Sequence, residues 1–347
     1  MTHNLLTIVL VTANRPALLA QALASLHSLT SNKFELIVAD DSKSNISEKL
    51  VGKLFPKARY FHNSPPLREA ANTNMGIFSA KTEYVCLFHD DDLLEMNFVK
   101  KVLSALEKDP ADILYTGRKM INERSQTIAL QLNKKIALPV LQFSAPQVLL
   151  HLLQGRNLPQ YTVPLMTPGL VFRSNLFART EGFSQSIETH IDTDFLYRLL
   201  AVSQEILFIN EPLYISRVYL GISGRTKTSE KGTVFFAQLK VIQNFLRFSQ
   251  ANEIKIPFLS SSEILNHFAK EAISVNGPLT WISLRFNGSF LNKDIALLKT
   301  AGAIIKLNPF VLLCPKFYFV LLLNLMLPKG FLSLLHKKIL PLFLTKS

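Results

Sequence analysis

Three consecutive aspartates, Asp90-Asp91-Asp92, follow the apolar run Tyr84-Val85-Cys86-Leu87-Phe88 and a single histidine, His89. Carboxylates crowded together where a buried strand leaves the core repel one another and lose hydration. A divalent cation relieves both penalties. Hard Mg²⁺ or Mn²⁺ takes oxygen ligands and shares them with substrate phosphates, so the run reads as a metal–diphosphate site. The competing explanation is an acidic turn capping a helix from about Leu93, since Asp is a good N-cap. A second pair, Asp40-Asp41, ends the run Phe34-Glu35-Leu36-Ile37-Val38-Ala39 and carries the same ambiguity: a ligand pocket, or a capped turn.

The elements that must position these carboxylates alternate. Leu6–Val11, Phe34–Ala39, Ala58–Phe61, Glu83–Phe88 and Ile113–Tyr115 read as strands. Between them Ala17–Leu29, Ser47–Phe55, Arg68–Ser79 and Asn97–Glu107 repeat apolar residues at helical spacing. Strands alternating with helices predict a parallel sheet with helices on both faces, in which ligands bind beyond the carboxyl ends of the strands. Both acidic groups lie at such ends. From about Lys119 the pattern weakens, and Pro139, Pro146, Pro159, Pro164 and Pro168 divide it into short pieces. Asp192–Val202 reads as a helix, Ile206–Ile209 and Leu213–Val218 as short strands, and Thr233–Phe248 and Ser262–Val275 as helices.

The chain has 347 residues and a formal net charge of +13, with 18% charged residues and 25 phenylalanines. Such a basic, apolar chain suits anionic lipid or a phosphorylated substrate. No dense Lys/Arg stripe interleaved with aromatics, zinc spacing or recognisable nucleic-acid module is present, so nucleic acid is not an expected partner. Cys86 and Cys314 both lie in apolar runs and read as buried thiols rather than a disulfide framework. A reducing compartment is expected. Leu5–Val11 has no basic segment before it and fits a strand better than a secretion signal.

Residues 301–347 contain six Lys and no Asp, Glu or Arg. Their apolar stretch is broken at Pro315 and Lys316, leaving about eleven clean residues against the roughly 20 that span a bilayer. The segment reads as one lying in the membrane interface, held by apolar burial and by lysines on anionic lipid. A core helix pair and a true span are the alternatives.

Four blocks together resemble family 2 glycosyltransferases of the GT-A fold, over about Leu6 to Ser223. Ile8–Pro16 is similar to the family's opening strand and its Thr-x-Asn-Arg turn, and Leu36–Ser42 to its second strand and Asp-Asp pair. Arg68–Gly76 with Glu83–Asp92 resembles the Asn-x-Gly helix and metal motif. Gly182-Phe183, followed by Asp192, resembles the acceptor-side block. The resemblance implies an α/β, Rossmann-like, mostly parallel sheet flanked by helices, with a helical, apolar and basic C-terminal extension. The expected divisions are a glycosyltransferase domain at 1–225 (nucleotide-sugar-binding half 1–118, acceptor half 119–225), a helical region at 226–300 and a membrane-associating tail at 301–347.

By the same resemblance, Thr12, Asn14, Arg15, Asp40, Asp41, Arg68, Asn74, Asp90 and Arg217 should serve the nucleotide sugar. Asp91 and Asp92 should serve a Mg²⁺ or Mn²⁺ ion, with Asp91 the direct ligand. His89, where many relatives have an Asp, is open to ribose, metal or plain packing. Asp192 is expected as the general base of an inverting transfer. Asp194 and Glu188 are alternatives, because Ile191 stands where the family has Glu. Tyr219 stands where many relatives have His, and Ser223 resembles the end of a loop closing over the diphosphate. The expected activity is transfer from a nucleotide sugar, UDP-linked, to a lipid-linked oligosaccharide at the cytoplasmic face of the inner membrane, in surface polysaccharide assembly such as O-antigen or capsule. A nucleotidyltransferase is the other enzyme class considered. Thr12–Pro16 offers no glycine for a phosphate loop. A degenerate nucleotide- or glycan-binding protein is the non-enzymatic alternative.

Overall fold

A computed structural model describes residues 5–136, 138–154, 165–187, 190–219, 233–254 and 264. The chain divides into two compact units. The first comprises residues 1–152, 156–220 and 248–257, and the second 153–155, 221–247 and 258–347. The expected tail at 301–347, the helix expected at 262–275 apart from Ile264, Ser223, Glu188 and Cys314 lie outside the described residues. No helix among the described residues is long and apolar enough to cross a membrane.

The first unit is built on a ten-stranded mixed sheet. Its strands are β1 (Leu6–Thr12), β2 (Glu35–Asp40), β3 (Arg59–His62), β4 (Tyr84–His89), β5 (Leu93–Leu94), β6 (Ile113–Ile121), β7 (Thr127–Gln131), β8 (Val140–Ser144), β9 (Val171–Arg173) and β10 (Glu205–Arg217). Their order is β3-β2-β1-β4-β9-β6-β10-β5, with β7 on β6 and β8 on β10. The strands β3, β2, β1 and β4 run parallel, as the alternating pattern predicts. Beyond β4 the sheet departs from that pattern. The short β9 inserts antiparallel between β4 and β6. The two short runs near residues 206 and 213 form one strand, β10, whose register with β6 shifts between Ile209 and Tyr214.

Helices α1 (Pro16–His27), α2 (Ile46–Leu54), α3 (Glu69–Phe78), α4 (Phe98–Lys108), α5 (Ala145–Gln154), α6 (Ser174–Arg179), α7 (Ile191–Val202) and α8 (Thr233–Ala251) complete the described elements. Pro16 starts α1 where its missing N–H costs nothing. Leu19, Ala22, Leu23 and Leu26 then return at helical spacing and are buried. They meet Leu6, Ile8 and Leu10, one alternate face of β1, in a single apolar cluster with Cys86 and Phe88 of β4. Each such large side chain contributes about 1.5–3 kcal/mol by leaving water. This core holds β1, β2 and β4 side by side, so their carboxyl ends open on one edge.

The acceptor-side block is tied directly to the Asn-x-Gly helix. Asn74 of α3 accepts the Phe183 N–H at 2.7 Å and donates to the Phe183 carbonyl at 2.9 Å. Gly182 has a φ of +68°, and a Cβ there would lie 2.8 Å from Asn74 Oδ1. Below it, Arg198 donates to the carbonyls of Thr180 and Gly182 and pairs with Asp194, both side chains being buried. Gly182→Ala is expected to cost about 1–2 kcal/mol from the left-handed backbone alone, and more through the Asn74 contact. A lowered denaturant midpoint with an unchanged m-value checks this.

Candidate active site

The acidic run leaves β4 under tight internal control. Asp90 is fully buried. Its Oδ2 accepts the Thr12 hydroxyl at 2.6 Å and Arg15 Nε at 3.2 Å, and its Oδ1 pairs with an Arg15 terminal nitrogen at 2.5 Å. Asp92 is 4% exposed. Its two oxygens accept the Tyr214 hydroxyl at 2.6 Å and the Arg217 main-chain N–H at 2.8 Å. Tyr214 reaches this position across Gly169, where φ is +78° and a Cβ would fall 2.3 Å from the ring. Asp91 is the more open member, held by the other terminal nitrogen of Arg15 at 2.9 Å.

His89, Asp91 and Asp92 bring one ligand atom each to within 4.8 Å of one another. Two carboxylates and an imidazole are a donor set that suits Mg²⁺ and, with its nitrogen, Mn²⁺. Burial pushes the Asp90 carboxyl up from the ordinary aspartate range, against the opposing pull of Arg15 and Thr12. Asp92 is likewise raised by burial, with His89 and Tyr214 pulling it back. A divalent cation would supply counter-charge to such a set.

Asp40 and Asp41 both hold main-chain turns at the end of β2. Asp40 accepts the Ser42 N–H at 2.8 Å and the Tyr60 hydroxyl at 2.7 Å. Asp41 accepts the N–H groups of Leu67 at 2.6 Å and Arg68 at 2.8 Å, with Asn63 at 3.3 Å. Both are buried, and they fix the β2 turn and the entry to α3. Asn14, at φ +56°, donates its N–H to Ser42 and accepts from Lys43 N–H, so it joins the β1 and β2 turns. The side chain of Arg68 is exposed at the head of α3, while Asn74 braces Phe183 as described above.

Arg217 faces inward. Its Nε donates to the Asp91 carbonyl at 3.0 Å, one terminal nitrogen to Asn122, Glu123 and Ser125 of the β6–β7 turn, and the other to Gln21 of α1 at 2.9 Å. It clamps the acidic loop in place. Asp194, the alternative base, is buried in its pair with Arg198. Asp192, in the first turn of α7, is partly exposed.

One residue, Glu69, escaped the sequence reading, and Tyr219 takes a place the sequence only marked. Glu69 opens α3. Desolvation pushes its carboxyl up, His89 and Arg15 pull it down, and Asp192 and Asp91 raise it, so it lies within electrostatic reach of both the acidic run and Asp192. In sequence it reads only as an acidic residue in a helix's first turn. Tyr219 has its hydroxyl buried without a hydrogen-bond partner among the described residues. Burial and Asp91 push it up, while Arg15 and Arg217 oppose them. Its sequence signal was the substitution for a family His.

Residues 7–168 match the model of glycosyl transferase family 2. An uncharacterised glycosyltransferase of Haemophilus influenzae is 26% identical over 216 residues, covering 60% of this chain and 67% of that protein. Another from Rickettsia typhi is 25% identical over 218 residues, covering 62% and 64%. The crystal structure of S. aureus TarS superposes with a TM-score of 0.56 at 16% identity, over 83% of this chain and 49% of TarS. TarS 1–349 in complex with UDP-GlcNAc gives 0.52 at 13% identity, over 86% and 91%. The chain therefore spans about two thirds of these two relatives and about half of the TarS chain. Residues 7–168 thus resemble glycosyl transferase family 2, and the fold is of the GT-A kind, a mixed α/β sheet with flanking helices.

Asp41→Ala is expected to remove the partner of the half-buried N–H groups of Leu67 and Arg68 and to cost about 1 kcal/mol. A lower melting temperature without added nucleotide checks this. A pure ligand contact would leave that temperature unchanged.

Proposed function

We propose that the protein is an inverting, metal-dependent glycosyltransferase that uses a UDP-linked sugar donor. The observation that carries this is the convergence of His89, Asp91 and Asp92 at the carboxyl end of β4, beside the β1 turn that carries Thr12 and Arg15. The complex of TarS 1–349 with UDP-GlcNAc supports a nucleotide-sugar donor here. His89, Asp91 and Asp92 would hold Mg²⁺ or Mn²⁺, which when bound offsets the charge developing on the departing diphosphate.

Asp192 takes the proton of the acceptor hydroxyl as that oxygen attacks the anomeric carbon. A new C–O bond forms, and the bond from the anomeric carbon to the diphosphate oxygen breaks with its electron pair leaving on the nucleoside diphosphate. Asp192 suits this role better than Asp194, whose carboxylate is already paired and buried. Arg217 holds the Asp91 main chain in place, and the exposed Arg68 is available to the donor phosphates.

The net charge of +13 and the basic, apolar sequence of residues 301–347 support an acceptor carried on a lipid. The reading extends to a peripheral enzyme at the cytoplasmic face of the inner membrane, acting in bacterial surface polysaccharide assembly such as O-antigen or capsule.

Calorimetry with UDP, with and without Mn²⁺, tests the donor site. Mn²⁺-dependent UDP binding that disappears in Asp91→Ala is the expected result. No nucleotide diphosphate binding by folded protein would contradict the reading. Asp192→Asn should keep UDP binding and lower kcat by about 10²–10⁴-fold.

A further inference from the structure

Arg15 occupies an unusual place. As the residue before α1 it could have left its side chain in solvent, yet its guanidinium spans two adjacent carboxylates. It touches Asp90 at 2.5 and 3.2 Å and Asp91 at 2.9 Å. The Asp90 half is fixed, because that carboxylate is fully buried and also holds Thr12. The Asp91 half is open. The side chains of Arg15 and Asp91 are 43% and 17% exposed, and Asp91 belongs to the group that converges on the candidate cation position. Arg217 lies beside the same loop, but its guanidinium is directed to main-chain carbonyls, Ser125 and Gln21.

We infer that Arg15 is a built-in counter-cation that competes with the divalent ion for Asp91 and turns to the donor diphosphate when ion and donor bind together. The inference rests on the proposed cation position at His89, Asp91 and Asp92. A guanidinium and a divalent ion drawing on one carboxylate repel each other, so the ion alone binds against the bridge. A diphosphate offers the released fork of N–H donors a new anionic partner of matching geometry. Arg15 thereby couples the two ligands: each binds more tightly in the presence of the other, and the coupling is reciprocal. Arg15 is a positioning residue for the ion and a contact for the donor.

The test is Mn²⁺ binding by the full chain, read from the electron paramagnetic resonance signal of free Mn²⁺, with and without UDP. Wild type is compared with Arg15→Gln and Arg15→Lys. Lysine keeps the charge beside buried Asp90 but, as a point charge, does not span both carboxylates. Both variants should bind Mn²⁺ alone about tenfold more tightly than wild type, a typical coupling factor, and UDP should improve their Mn²⁺ affinity less than it does that of wild type. Thermal melts confirm that the variants are folded. If wild type binds Mn²⁺ and Asp91→Ala does not, while neither folded Arg15 variant binds more tightly, the competition is refuted and the cation position stands. Tightening in Arg15→Gln alone would be a bulk charge effect and would also refute the bridge. Absence of Mn²⁺ binding in every form would remove the cation position and this inference with it.

Discussion

Two of three consecutive aspartates are buried at the end of one strand, and this constraint organises the surrounding structure. Asp90 and Asp92 are almost fully removed from water, and burying carboxylates without partners is prohibitive. Three neighbouring segments supply donors. The β1 end gives Thr12, the start of α1 gives Arg15, and β10 gives the Tyr214 hydroxyl and the Arg217 N–H. Alternation along the run leaves Asp91 facing outward between two inward-facing neighbours. The buried pair fixes the loop, and Asp91 is the member left most open.

The same logic explains why long-range polar links converge here. Arg217 ties β10 to the Asp91 carbonyl, the β6–β7 turn and α1. Asp41 pins the entry to α3, and Asn74 carries that helix to Phe183. Segments more than one hundred residues apart are thus held in register around one opening. Preorganisation of this kind keeps catalytic groups in place without reorganisation at the moment of reaction.

Much of this was legible in the sequence. The buried strands β1, β2 and β4 are continuous apolar runs, and their carboxyl ends are marked by the acidic pairs themselves. The four-block resemblance pointed to the family whose model matches residues 7–168. What was illegible depends on partners distant in the chain. β9 is three residues long, too short to show a period, and exists because β4 and β6 flank it. β10 reads as two pieces because Asn210-Glu211-Pro212 interrupts its apolar pattern at the register shift. The inward roles of Asp40 and Asp41 rest on Tyr60, Leu67 and Arg68, which lie 20, 26 and 27 residues from their partners. Nothing local separates a carboxylate that binds a nucleotide from one that binds a turn.

The central claim is that the open face of the acidic run is where a divalent cation and a diphosphate meet. The most direct measurement is anomalous diffraction at the manganese edge from crystals grown with Mn²⁺ and UDP. The account predicts one strong anomalous peak bonded to the Asp91 carboxylate, with His89 or Asp92 completing the protein ligands and the diphosphate oxygens on its open side. A peak elsewhere, or UDP bound in this opening with no peak at Asp91, would contradict it.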